Sequence, residues 1–309
     1  MAVPVAKLPV IDLSSPDRVS TAELIRKACI DYGFFYLANH GVEEELIRRV
    51  FEESRKFFSL PVDEKSKLPR KNHRGYTALY AENLDPDSSS RGDSKESFYV
   101  GPIDGNKAEL NQWPSVEVLP SWRFTLESYY GKVMSAGIRL ISLIALALNL
   151  DENHFQKIGA LDEPEAFLRL IHYPGELGCS NEELYGASAH SDYGMITLLI
   201  DDGVPGLQVC REKSRQPRVW EDVPHLHGCF IVNIGDMMER WTNCLFRSTL
   251  HRVMPTGQER YSMACFFDPN PDCIIECLES CCSMSSPPRF PAVRSMDYLQ
   301  ERFRLTYGS

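Results

Sequence analysis

The sequence predicts a mainly β protein with flanking helices: a helix-rich first half, an antiparallel sandwich or jelly roll in the second, and a closing helix. Three observations carry this. Before residue 150 apolar residues recur at helical spacing. After residue 165 short β-prone runs alternate with Gly and Pro turns, as in antiparallel two-sheet folds. The last amphipathic stretch, about Ser295 to Thr306, returns to helical spacing. The expected divisions are residues 1–160 as a helix-rich region packing on the core, 161–285 as the β core, and 286–309 as the C-terminal helix.

The elements follow in order. Pro9–Leu13 (PVIDL) reads as a short strand. Ser20 and Glu23 have capping-box spacing, and Leu24, Ile25, Ala28 and Cys29 follow at helical period. Gly33 ends that helix before the buried-type strand Phe34–Leu37, and Asn39-His40-Gly41 makes a turn. A second amphipathic helix spans about Glu43 to Phe58, and a long one about Trp122 to Leu148. The β runs are Phe167–Tyr173, Met195–Ile200, Leu207–Cys210, Cys229–Ile234, Tyr261–Phe267 and Cys273–Cys277.

Composition bounds the function. The chain has 309 residues, enough to bury a full core, and a formal net charge of -10. That charge argues against a nucleic-acid partner, since phosphate binding draws on basic surfaces. Met1 to Ser14 shows no apolar run behind a basic start, and the longest apolar stretch, Leu140–Leu150, is too short for a bilayer. No membrane association is expected, and a cytoplasmic location is. The ten cysteines then read as free thiols. Cys273, Cys277, Cys281 and Cys282 lack zinc-type spacing and are expected not to converge on a metal.

Two fragments bear chemistry: His190-Ser191-Asp192 and, 59 residues after that aspartate, His251. In extended backbone residues i and i+2 point to one face, so His190 and Asp192 can reach one metal. Two neutral imidazoles and one carboxylate suit Fe(II) with open positions for oxygen and substrate. A lone His-x-Asp is expected roughly 0.5 times by chance in such a chain, so the second histidine and the context carry the argument. Arg260 and Ser262 share a strand face that continues through Ala264 and Phe266, offering a fork and a hydroxyl to a carboxylate. His225 and His227 sit between Pro224 and Gly228 and read as loop residues; His172 falls on the opposite face from Tyr173.

Several stretches, in one order along nearly the whole chain, resemble the plant-type 2-oxoglutarate- and Fe(II)-dependent dioxygenases of the isopenicillin N synthase-like superfamily. They are PVIDL at 9–13, GFFYLANHGV at 33–42, GDSKE at 92–96, HSDYGMITLL at 190–199, FIVNIGD at 230–236, STLHRV at 248–253, RYSMACFF at 260–267 and YLQERFRLTY at 298–307. The resemblance implies a double-stranded β-helix (jelly roll) core. It implies Fe(II) on His190, Asp192 and His251, and 2-oxoglutarate as co-substrate on Arg260 and Ser262 with help from Tyr173. Phe266 stands where relatives place a substrate-stacking aromatic. The implied activity is O2-dependent hydroxylation, or a related demethylation or desaturation, of a small-molecule metabolite, releasing succinate and CO2, with ascorbate stimulating it. Where many members have asparagine before the co-substrate tyrosine, this chain has Ile171-His172-Tyr173. The loop from Asn83 to Asp93 has the composition of a lid or of a solvated turn. Alternatives are an Fe(II) oxidase that does not use 2-oxoglutarate, a non-catalytic ligand-binding relative, and a zinc hydrolase.

Overall fold

The computed structural model describes residues 3–85, 92–175 and 184–307. Its strands in chain order are β1 (Val10–Asp12), β2 (Phe34–Ala38), β3 (Gly75–Thr77), β4 (Glu96–Val100), β5 (Glu165–Tyr173), β6 (Ala187–His190), β7 (Ile196–Asp201), β8 (Leu207–Cys210), β9 (Glu221–Asp222), β10 (Phe230–Ile234), β11 (Leu250–Val253), β12 (Arg260–Asp268), β13 (Ile274–Ile275) and β14 (Val293–Arg294). The helices are α1 (Arg18–Asp31), α2 (Glu44–Phe58), α3 (Val62–Lys65), α4 (Trp122–Ala147), α5 (His154–Lys157), α6 (Asp236–Trp241) and α7 (Ser295–Tyr307).

Eight strands form one sheet in the order β1-β2-β10-β7-β12-β5-β4-β3, and four form a second in the order β6-β11-β8-β9. Successive side chains of a strand point to opposite faces, and here the alternation sorts the core into two layers. On β2, Phe34 and Tyr36 join the cluster between the sheets, with Ile171, Tyr173, Ala187, Leu207, Val209, Ile231 and Val253. Phe35 and Leu37 join the larger cluster beneath the helices, with Leu168, Leu170, Val232, Met263 and Phe267. Sheet on sheet, with helices over the outer face of the larger sheet, is the expected jelly roll with flanking helices.

Four findings refine the sequence-based picture. Residues 1–160 are not a helical layer alone, because β1 to β4 extend the large sheet at both edges. Helix α1 is capped by Asp17, whose carboxylate accepts from Ser20 N at 3.0 Å, so the helix begins one turn before the Ser20–Glu23 box. Helix α4 is long and apolar enough to cross a membrane by length and composition, yet Trp122, Leu126, Val133, Leu140 and Ile144 are fully buried against the protein core. Its Gly137 lies where a Cβ would come within 2.1 Å of the Phe267 ring, so the missing side chain lets α4 press onto β12. The six expected β runs all contain strands; that at Cys273–Cys277 shrinks to Ile274–Ile275, which pairs only with β14.

Candidate metal centre and its cavities

β6 and β11 lie side by side in the smaller sheet with His190 opposite His251. Asp192 follows β6 by two residues. The structure thereby brings the three expected ligands together: one ligand atom from each lies within 4.8 Å of the others. Asp192 Oδ1 is 3.8 Å from His190 Nε2 and 3.7 Å from His251 Nε2. Among the described residues no other group of three or more His, Cys, Asp or Glu side chains converges in this way, the Cys273–Cys282 group included. The nine described cysteines are free thiols.

Hydrogen bonds aim each ligand. His190 Nδ1 donates to Ser188 O at 2.8 Å, and His251 Nδ1 donates to Thr249 O at 3.1 Å. A carbonyl can only accept, so both Nδ1 atoms carry the proton and both Nε2 lone pairs face the cluster. Asp192 Oδ2 accepts from Thr197 Oγ1 at 2.6 Å and Asn233 Nδ2 at 2.7 Å, which leaves Oδ1 toward the histidines. Phe34 stands edge-on to His251, ring centres 5.5 Å apart. Burial, reinforced by the neighbouring His251 charge, lowers His190 to about 4. Burial opposes ionisation of Asp192, but the His251 and His190 charges and the two hydrogen bonds outweigh it, holding the carboxyl below its usual range. The set thus presents two imidazole Nε2 atoms and one carboxylate oxygen, a donor set that fits Fe(II).

Behind His190 lies the GDSKE segment. Asp93 Oδ1 accepts from Ser188 N at 3.0 Å and Ser188 Oγ at 2.6 Å, fixing the residue whose carbonyl holds His190. Lys95 pairs with Asp93 and Glu82, and Glu82 also pairs with Arg70 and Arg169. Thr197, Asn233, Ser188 and Asp93 carry no metal-ligand spacing in the sequence. The available hints are Asn233 as a polar interruption of an apolar strand and Asp93 within a motif that suggested no role by itself.

β12 carries the expected anchor row. Arg260, Ser262, Ala264 and Phe266 share one face, while Tyr261, Met263, Cys265 and Phe267 enter the core under the helices. Arg260 donates from Nε to Val204 O at 3.0 Å and from Nη2 to Asp201 Oδ2 at 3.2 Å. Its Nη1 and the Ser262 Oγ are buried without a hydrogen-bond partner. Two donors left unmatched on one strand face are suited to a carboxylate, so these residues fit the co-substrate the chain's motifs imply. Tyr173 is the cross-strand partner of Arg260, its ring 5.1 Å from the guanidinium carbon. Ile171 pairs with Ser262.

Two adjoining cavities meet the cluster. One, with roughly 670 Å³ of open space, is walled by Tyr99, Phe167, Arg169, Phe266 and Asp268 beside His190 and Asp192. The other, roughly 540 Å³, holds Ile171, Tyr173, Lys95, His251 and again Phe266. Arg260 does not line either; it borders a small hollow that shares Tyr173 and Val253 with the second. His225 turns instead to Asp201, 2.7 Å away, and His227 is exposed near Glu44. His172 lies on the outer face, bonded to Glu96 and Glu259 at 2.8 Å each and stacked on Tyr261. Of the 83–93 loop, residues 86–91 lie outside the described residues.

Comparison with known proteins agrees with this geometry. Residues 8–116 match the family model described as non-haem dioxygenase in morphine synthesis N-terminal, and residues 164–269 match that of the 2OG-Fe(II) oxygenase superfamily. Kihadalactone A synthase LFS of Citrus sinensis is 39% identical over 98% of this chain and 93% of its own length. The 2-oxoglutarate-Fe(II) type oxidoreductase hxnY of Emericella nidulans is 33% identical over 97% of this chain and 90% of its own. Among solved structures, a full-length Neurospora crassa protein in complex with alpha-KG and thymine superposes with a TM-score of 0.86 at 29% identity, covering 98% of this chain and 99% of that one. The chain belongs to the 2-oxoglutarate- and Fe(II)-dependent oxygenase superfamily, as a dioxygenase of the plant type.

Proposed function

We propose that the protein oxidises a C–H bond of a small-molecule metabolite, with Fe(II) held by His190, Asp192 and His251 and the distal carboxylate of 2-oxoglutarate held by Arg260 and Ser262. Iron, when bound, supplies the centre at which O2 and the keto acid react. The protein's part is positioning. The Nδ1 bonds to Ser188 and Thr249 keep both imidazoles presenting Nε2. Thr197 and Asn233 occupy Asp192 Oδ2, so the carboxylate offers one oxygen. Asp201 and Val204 immobilise two of the three Arg260 nitrogens and leave Nη1 for an incoming carboxylate beside Ser262 Oγ. The Tyr173 ring shields that end from water.

The observation that carries the reading is the pair of buried, unmatched donors on Arg260 and Ser262, on the strand that also brings Phe266 to the metal cavities. The free thiols support a reducing, cytosolic setting. The test is succinate formation from 2-oxoglutarate with Fe(II), ascorbate and a metabolite panel. The wild type should form succinate in a substrate-stimulated way, and His251→Ala should form none. Arg260→Lys should raise KM for 2-oxoglutarate at least about ten-fold, because a point charge does not replace a fork. Normal turnover by His251→Ala, or an unchanged KM in Arg260→Lys, would remove those residues from these roles.

A further inference from the structure

The anchor face of β12 does not end at Phe266. Asp268 is the next residue on it, the last of the strand, paired across β5 with Glu165. It is 6% exposed, its Oδ1 has no hydrogen-bond partner, and it lines the larger cavity beside Asp192 and Phe266. The chain makes room for it. A Cβ on Gly194 would come within 1.9 Å of Asp268 Oδ1, so the turn after Asp192 lacks a side chain where this carboxyl lies. A buried carboxyl with an unmatched oxygen is costly unless a ligand satisfies it.

The other polar wall groups narrow what that ligand is. Arg70 and Arg169 point their charges at Glu82, which pairs with both. Glu82 thus takes up both guanidinium groups, and the ion pairs of these two arginines run to it and not to Asp268. Burial, the largest cause, opposes ionisation of Asp268 and raises it to about 8, which favours the uncharged acid. An uncharged acid both donates and accepts, and it matches a partner that presents a donor beside an acceptor. Tyr99, Phe167 and Phe266 supply ring surfaces for stacking.

We propose that Asp268 is a specificity-determining residue that pairs with the lactam edge, an N–H beside a C=O, of a neutral planar ring substrate held among Tyr99, Phe167 and Phe266. This rests on the oxygenase reading above and adds the substrate class to it. In this arrangement the ring N–H donates to one carboxyl oxygen and the acid O–H donates to the ring carbonyl. Arg260 and Ser262 hold the co-substrate at one end of β12, and Asp268 selects the substrate at the other.

The test is calorimetric titration of the anaerobic protein loaded with Fe(II) and 2-oxoglutarate, with three probes: 2-quinolinone, N-methyl-2-quinolinone and tetrahydroisoquinoline. The wild type should bind 2-quinolinone at least about ten-fold more tightly than its N-methyl derivative, since a site built for an N–H rejects the analogue lacking it. Asp268→Leu should abolish that preference, and Asp268→Asn, which keeps a donor and an acceptor, should retain most of it. Equal affinity for the two quinolinones, no binding of 2-quinolinone at millimolar concentration, or a preference for the ammonium probe that Asp268→Asn abolishes would each overturn the proposal. Titration of 2-oxoglutarate into the same samples separates the two readings. If 2-oxoglutarate binds the wild type and Asp268→Leu alike while the lactam preference is missing, the substrate assignment alone fails. If 2-oxoglutarate does not bind the wild type, the oxygenase reading fails, and this inference with it.

Discussion

At the scale of single residues, the metal centre is defined as much by what points the ligands as by the ligands. Asp192 has two oxygens, and Thr197 and Asn233 decide which of them faces His190 and His251. Removing either donor frees the carboxylate to rotate. Asn233→Ala and Thr197→Val should each weaken Fe(II) binding about 10- to 100-fold while the fold is kept, as losses of this kind do at other metal sites. Competition with a coloured chelator measures it, and wild-type affinity in both variants would show that the carboxylate needs no such support. The ligands themselves were legible in the sequence from the His-x-Asp pair joined to His251 in its motif context, although Asp192 lies just beyond β6 and not in it. Their supports were not: Thr197 and Asn233 come from β7 and β10, which only the sheet order makes neighbours.

Among the elements, β12 was the most legible and β4 among the least. β12 carries its polar residues, Arg260, Ser262 and Asp268, on the face that meets a site, and Tyr261, Met263, Cys265 and Phe267 on the face under the helices. β4, Glu96–Val100, is buried at every position, and a strand covered on both faces gives no alternation to read. β3 is only three residues long and has no pattern of its own. Helix α4 was clear from its periodicity, but its depth of contact depends on Gly137. Gly137→Ala gains helix propensity, yet its methyl would meet the Phe267 ring. Overpacking typically costs about 1–3 kcal/mol, so the variant should be destabilised in urea titration. A neutral or stabilising result would mean that α4 has slack above β12.

For the whole molecule, pH acts on groups of opposite sign. Burial holds His40, His73 and His154 below the ordinary value of 6.5. Below that pH the unfolded chain binds protons that the folded one resists, and these residues then cost stability. Asp268, raised from 3.8 to about 8, works the other way. The folded protein keeps its proton while the unfolded chain has lost it, so stability declines as pH rises across that window. About one unit above 6.5 the histidines, His190 included, cease to contribute. From about pH 7.5 upward the metal-free protein should therefore lose stability through Asp268, and Asp268→Asn should lose less, as urea midpoints at about pH 7.5 and 8.5 would show. A parallel decline in both proteins would mean that Asp268 is not protonated in the fold. The same strand has a consequence for how such an enzyme diversifies. Because positions 260, 262, 266 and 268 are marks on one rigid ruler, a change at 266 or 268 can exchange one substrate for another without disturbing the end where the shared co-substrate is gripped. A one-residue insertion after 262, by contrast, would turn 266 and 268 to the wrong side while 260 and 262 keep theirs, so that the two ends of the strand would part company.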